Sequence, residues 1–195
     1  SLIFVGPGIN DNGSGSSSLL EIVLQFFKAK INNQAKVMFC WWGAEEIGSH
    51  SSVACFNTVA QLERLGLLGS RWFVHELQTK NETVFKNIAL ALNFDMLGSP
   101  NFMPYVHNVS VPGTAPHPDS AVNGSNTITT VFTKFFEMKN HPLKYYSMGG
   151  GSDYLPFLQA GIPAGGLATG AGVIKVCTLT SRDNSLCLCT SPMLY

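Results

Sequence analysis

The chain has 195 residues, 45% of them apolar, with 13 Phe and 3 Trp, enough to enclose the core of one domain. Charged residues make up only 12% and cancel to zero, which excludes the basic footprint of a nucleic-acid or anionic-membrane binder. No apolar run approaches the roughly 20 residues of a membrane span.

In chain order, SLIFVGPGIN reads as starting inside a longer unit, with upstream sequence missing. A Gly/Asn-rich loop, Gly6 to Ser14, leads into SSLLEIVLQFFKAK, which puts Leu19, Ile22, Val23, Phe26 and Phe27 on one helical face, with serines available to cap its start. KVMFCWW, Lys36 to Trp42, predicts a strand buried on both faces. It runs directly into Glu45 and Glu46. Residues 49–66 interrupt what should be a short connection and read as an insertion. LLGSRWFVHEL is helix-like. NIALALNF, Asn87 to Phe94, predicts a second buried strand that ends in Asp95. TITTVFTKFFEMK is an amphipathic helix, SDYLPFLQAGIP a short helix with a Gly stop, and PAGGLAT a further strand. From Val173 onward no period is visible. Helices alternating with buried strands predict an α/β fold with a mostly parallel sheet.

Four N-x-S/T sequons, at Asn12, Asn81, Asn108 and Asn123, together with little Lys, lean towards a secreted glycoprotein. Asn12 is expected to stay bare because it adjoins Asp11. The five cysteines form no paired framework or zinc motif, and Cys40 reads as a buried free thiol. The five histidines, at 50, 75, 107, 117 and 141, read as loop or surface-helix residues.

The acids carry the functional signal. In an open parallel sheet, ligands gather at the carboxyl ends of strands. Glu45 and Glu46 stand at one such end, Asp95 at another, and Asp11 lies in a loop just before a helix. Singly, each has an ordinary explanation: a solvated helix start, a turn or a cap. Together, four acids from three segments of a charge-poor chain call for a multivalent cation that offsets their repulsion. Adjacent glutamates suit a division of labour, one holding metal and one taking a proton from water.

The blocks GPGINDNGSGSSSLLEI, VMFCWWGAEEIG, LLGSRWFV, LNFDMLGSPN and GSDYLPFLQAGIPAGGLATGAG resemble, in order, those of the secreted di-zinc aminopeptidases. These are the leucine-aminopeptidase and aminopeptidase-Y-like members of the zinc exopeptidase superfamily, metallopeptidase family twenty-eight. The resemblance implies a three-layer α/β/α sandwich. It implies a peptidase-domain fragment over 1–172, truncated at both ends, and a divergent tail over 173–195. It implies an enzyme that hydrolyses N-terminal residues from peptides through metal-activated water. Asp11 would bridge two zinc ions, Glu46 and Asp95 would each ligate one, and Glu45 would be the general base. Met96, Gly150, Gly151 and Ser152 would line the pocket for the substrate's N-terminal residue.

The pattern also departs from the family. Neither histidine ligand of the two-zinc site can be placed, and Ala168 stands where relatives commonly carry an aromatic. Weak zinc binding and impaired activity are therefore expected of this chain, as a monomer with peptide N-termini as substrate. The alternatives are a non-catalytic fragment or pseudo-enzyme, or a glutaminyl cyclase or carboxypeptidase relative on the same fold.

Overall fold

The computed structural model describes residues 8–46, 66–99 and 102–170. The insertion expected at 49–66, apart from Gly66, the tail from Val173, His50 and every cysteine but Cys40 lie outside these residues.

An irregular helical loop, Ile9–Ser14, precedes α1, Gly15–Lys28. Then follow α2, Leu68–Lys80, and the short α3, Glu82–Lys86. Strand β1, Ala91–Phe94, β2, Tyr105–Asn108, α4, Val122–Met138, and β3, Lys144–Ser147, come next. The last elements are α5, Tyr154–Gln159, and β4, Ala164–Ala168. The sheet order is β1-β4-β2-β3. β1 pairs parallel with β4 and β2 parallel with β3, while β2 and β4 run antiparallel. The mixed α/β class with a mostly parallel sheet is thus as expected.

The core forms where the short α5 meets the sheet. Tyr154, Leu155, Phe157 and Leu158 of α5 are all buried, and with Ala164, Met148 and Val74 they form one apolar cluster. Ala164 belongs to this cluster, whereas a Cβ added at the next residue, Gly165, would meet Ile128 of α4 at 2.6 Å. Successive strand residues face opposite sides, so α4 and α5 cover the two faces of β4. The helix stops where its Gly predicts: Gly161 has φ +80°, a conformation cheap only for Gly.

Four expectations are corrected. Lys36 to Trp42 forms no strand; none of the described strands pairs with it, and Val37, Met38 and Trp41 are about half exposed, at 46%, 54% and 50%. A uniformly apolar run fits a buried strand only when neighbours supply both ladder partners. Here the run leans on α1 and α2 through side chains instead: Phe39 meets Phe26 edge-on at 5.7 Å, and Trp42 packs on Phe73 at 5.0 Å. The predicted strand over Asn87 to Phe94 shrinks to its last four residues, with Leu92 still 47% exposed. The α1 start is capped not by a serine but by Asn12, whose Oδ1 accepts the Gly15 N–H at 2.9 Å. Of the α1 apolar stripe, Phe27 points outward at 78% exposure.

Candidate metal centre

Asn12 and its neighbours sew the first loop to the carboxyl end of β1. Its Nδ2 donates to the Phe94 carbonyl at 3.1 Å, and its Oδ1 also accepts the Met96 N–H at 3.3 Å. Asn10 Oδ1 accepts the Gly98 N–H at 2.9 Å, and Ser14 Oγ accepts the Leu97 N–H at 2.9 Å. Asp11 is thereby carried to the strand end from which Asp95 emerges.

The glutamates are placed by a backbone clamp. The N–H groups of Leu67, Leu68 and Gly69, at the start of α2, donate to the carbonyls of Glu45, Ala44 and Gly43 at 2.8, 3.1 and 3.1 Å. The chain therefore returns at residue 66 beside the point where it departs at 46. Ala44 turns the corner at φ +59°.

Asp11, Glu45, Glu46 and Asp95 line one cleft of about 510 Å³. A fifth carboxylate, Asp153, joins them, and among the described residues no Lys, Arg or His lines it. Burial and mutual repulsion show in the protonation of the group. Asp11 is pushed up to about 6, by burial first, then by a shared hydrogen bond and the charge of Glu46. Glu45 is pushed up to about 8, by burial first and then by Glu46, Asp95, Asp153 and Asp11. Burial also raises Asp95 and Asp153, partly offset by hydrogen bonds from Ser152 and Ser70 respectively.

Ser152 Oγ donates to Asp95 Oδ2 at 2.6 Å and accepts from Asn93 Nδ2 at 2.8 Å. Asp95 Oδ1 is buried with no partner. Ser70 Oγ donates to Asp153 Oδ1 at 2.5 Å. A carboxylate set short of positive charge, with an orphaned buried oxygen, fits a divalent cation by donor chemistry. The donors are not gathered for it: among the described residues no three His, Cys, Asp or Glu side chains form a metal-holding group.

Of the residues expected to line the substrate pocket, none borders the cleft directly. Ser152 acts through Asp95. Met96 adopts φ +53° and gives its carbonyl to Thr169 Oγ1 at 2.6 Å. Gly150 and Gly151 form an exposed bend. Sequence reading missed Asn93, Asn12, Ser70 and the cleft position of Asp153. Asn93 did leave a signal, an amide at an otherwise apolar strand position. His107, expected in a loop or on a surface helix, is buried in β2 at 3% exposure, whereas His75 and His141 are exposed as expected.

Residues 1–183 match Peptidase family M28. The chain belongs to peptidase family M28. Leucine aminopeptidase 2 of Trichophyton rubrum is 38% identical over 170 residues, which cover 87% of this chain and 29% of that protein. An aminopeptidase of Pseudomonas aeruginosa is 37% identical over 175 residues, covering 89% of this chain and 27% of that one. A solved zinc aminopeptidase from Bacillus subtilis superposes with a TM-score of 0.58 at 26% identity, covering 91% of this chain and 36% of its own. This M28 chain therefore spans under a third of the curated relatives it matches. The family and fold readings from sequence agree with these comparisons, and the M28 membership gives the carboxylate cleft its chemical context.

Proposed function

We propose that this M28 chain carries part of the active site of a secreted zinc aminopeptidase, which removes N-terminal residues from peptides. The observation that carries the reading is the cleft itself: five acids from four segments, unaccompanied by any basic residue among the described residues of the lining. Asp11, Glu46 and Asp95 would hold the metal, with Asp11 between two ions. Zinc, when bound, supplies Lewis-acid polarisation of the scissile carbonyl.

The chain's own residues do the rest. The Asn12 hub fixes Asp11 against Asp95, and Ser152 with Asn93 fixes the Asp95 carboxylate plane. Glu45, between burial and four neighbouring acids, holds a proton more firmly than an ordinary glutamate. Added positive charge in the cleft lowers that affinity and frees Glu45 to take a proton from attacking water and deliver it to the departing amine. The excess negative charge of the cleft suits a free α-amino group, which gives the preference for peptide N-termini. Met96, Gly150 and Gly151 would act from further out.

The lining offers carboxylates and no imidazole among the described residues, so zinc is expected to bind weakly and turnover to be impaired. That same feature supports the second reading, a non-catalytic member of the family. Leucyl-4-nitroanilide and its N-acetyl form distinguish them, assayed with zinc, with chelator and with Glu45→Gln. Hydrolysis restricted to the free amine, abolished by chelator and by the substitution, is the expected outcome. Absence of hydrolysis at saturating zinc favours the non-catalytic reading. Two tightly held zinc ions per chain would refute the expectation of weak binding.

A further inference from the structure

Another concavity among the described residues, about 450 Å³, lies between the end of β2, the outer flank of α4 and β3. β2 runs antiparallel to β4, which itself runs parallel to β1, so Asn108 at the carboxyl end of β2 sits at the opposite end of the sheet from Asp95. Asn108, Ser110, Asn126, Thr130, Thr133 and Tyr145 border the groove.

Asn108 is the sequon asparagine of Asn-Val-Ser. Its Oδ1 accepts the Ser110 N–H at 2.8 Å, an Asx turn that fixes the amide plane and commits the oxygen while leaving Nδ2 as the available end of the amide. Ser110 Oγ in turn donates to Asn126 Oδ1 at 3.3 Å. Across the groove Tyr145 is 47% exposed as a residue, with its hydroxyl 3.4 Å from Thr133 Oγ1. An exposed aromatic face flanked by hydroxyl and amide groups matches a hexosamine, which has an apolar C–H face and a rim of hydroxyls.

The other sequons differ. Asn12 spends both amide atoms on the loop that carries Asp11, so a glycan there would dismantle it. Asn81 caps α3 through Val84 N–H, and Asn123 is exposed on the first turn of α4. The sequon serine of Asn123 is buried at 1% and accepts the Ala164 N–H. Of the four, Asn12 borders the carboxylate cleft and Asn108 this groove, and of these two only Asn108 keeps its amide nitrogen off the loop that carries Asp11.

We propose that Asn108 is an N-glycan acceptor and that the adjoining groove seats the first N-acetylhexosamine residues against Tyr145. In the modification, Asn108 Nδ2 forms a bond to the anomeric carbon of a lipid-linked oligosaccharide. The carbon–oxygen bond to the lipid pyrophosphate breaks, the pyrophosphate leaves with the electron pair, and one amide proton passes to a base of the transferring enzyme. The biological setting rests on the secretory reading above; the sugar chemistry of the groove does not.

The test sends the chain through the secretory pathway of a eukaryotic host behind a cleavable leader. Peptide N-glycosidase treatment in heavy-oxygen water then marks each occupied asparagine for mass spectrometry. A mark at Asn108, lost in Asn108→Gln and in Ser110→Ala, is expected. Enzymatic removal of the glycan is expected to lower Tm by about 2–4 °C, and Tyr145→Ala, which keeps the glycan, is expected to erase that difference. Unglycosylated chain from a bacterial host, titrated with diacetylchitobiose, should show saturable NMR shifts at Tyr145 and Thr130, separating a seat for free sugar from one that needs the tether. An unmarked Asn108 in secreted folded chain, or a Tm difference that Tyr145→Ala leaves intact together with a groove unperturbed by sugar, overturns the proposal. Marks at Asn81 or Asn123 only would sink the Asn108 assignment while leaving secretion standing; retention of the native protein in the cytosol would remove the secretory reading and the modification with it, leaving only the sugar-binding groove to be judged by the chitobiose titration.

Discussion

The two oxygens of Asp95 have different fates, and the difference assigns the residue its place. Oδ2 is held by Ser152, which is itself held by Asn93, while Oδ1 is buried and unpartnered. Removing the hydroxyl with Ser152→Ala takes the serine donor from Asp95 Oδ2 and the acceptor from Asn93 Nδ2. A loss of about 1–3 kcal/mol in urea unfolding is expected, and an unchanged midpoint would show that the relay carries no stability. Neither Asn93 nor Ser152 belongs to a pattern that spacing can reveal, because their meeting spans 59 residues of chain. The acids were legible because charge is scarce here; Asp95 does follow a strand, whereas Glu45 and Glu46 were read from the end of a strand that does not form.

At the scale of elements, the corner that presents Glu45 and Glu46 is a junction of two segments. The start of α2 donates three N–H groups to residues 43–45, which satisfies donors that any helix start leaves open. The corner is held with Ala44 in the left-handed region, at φ +59°, where a Cβ is unfavourable. Ala44→Gly is expected to stabilise the chain by up to about 1 kcal/mol, read from the denaturation midpoint. A destabilised variant would mean that the Ala44 methyl packs more than it strains. The four helix expectations held, since amphipathic periodicity is local. The strand expected over Lys36 to Trp42 did not, because a ladder requires a neighbour and apolarity says nothing of whether one is there.

For the whole molecule, stability against pH has two opposed contributions, His107 on one side and the raised cleft acids, Glu45 foremost, on the other. His107 is buried without a partner for Nδ1, and burial lowers it to about 4 from 6.5. Between those values the unfolded chain takes up a proton that the folded chain refuses, so stability falls as pH drops through that window. Over the whole window this is worth about 3 kcal/mol. Glu45 works the other way: raised from 4.5 to about 8, it keeps a proton that the unfolded chain releases, so stability falls as pH rises between those values. His107→Gln should therefore flatten the acid limb of a Tm-versus-pH profile and Glu45→Gln the alkaline limb. A profile unmoved by both would refute the assignment. Divalent cation should raise Tm with the logarithm of its concentration, most at alkaline pH where the cleft carboxylates are ionised. A pH-independent shift would place the ion elsewhere.

By itself, the sequence determined the α/β class, the order of helices, the family and the identity of four cleft acids. Each of those follows from local periodicity, from strand-end position or from ordered blocks along the chain. Only the tertiary structure decided that Asp153 joins the acids, that Asn12 and Ser152 hold two of them in place, and that Lys36 to Trp42 lies unpaired. It also decided that His107 is core and that Asn108 faces a groove while Asn12 is locked. The reason is common to all of these: hydrogen bonding and burial depend on what arrives from distant parts of the chain, and a residue's own neighbours do not record it.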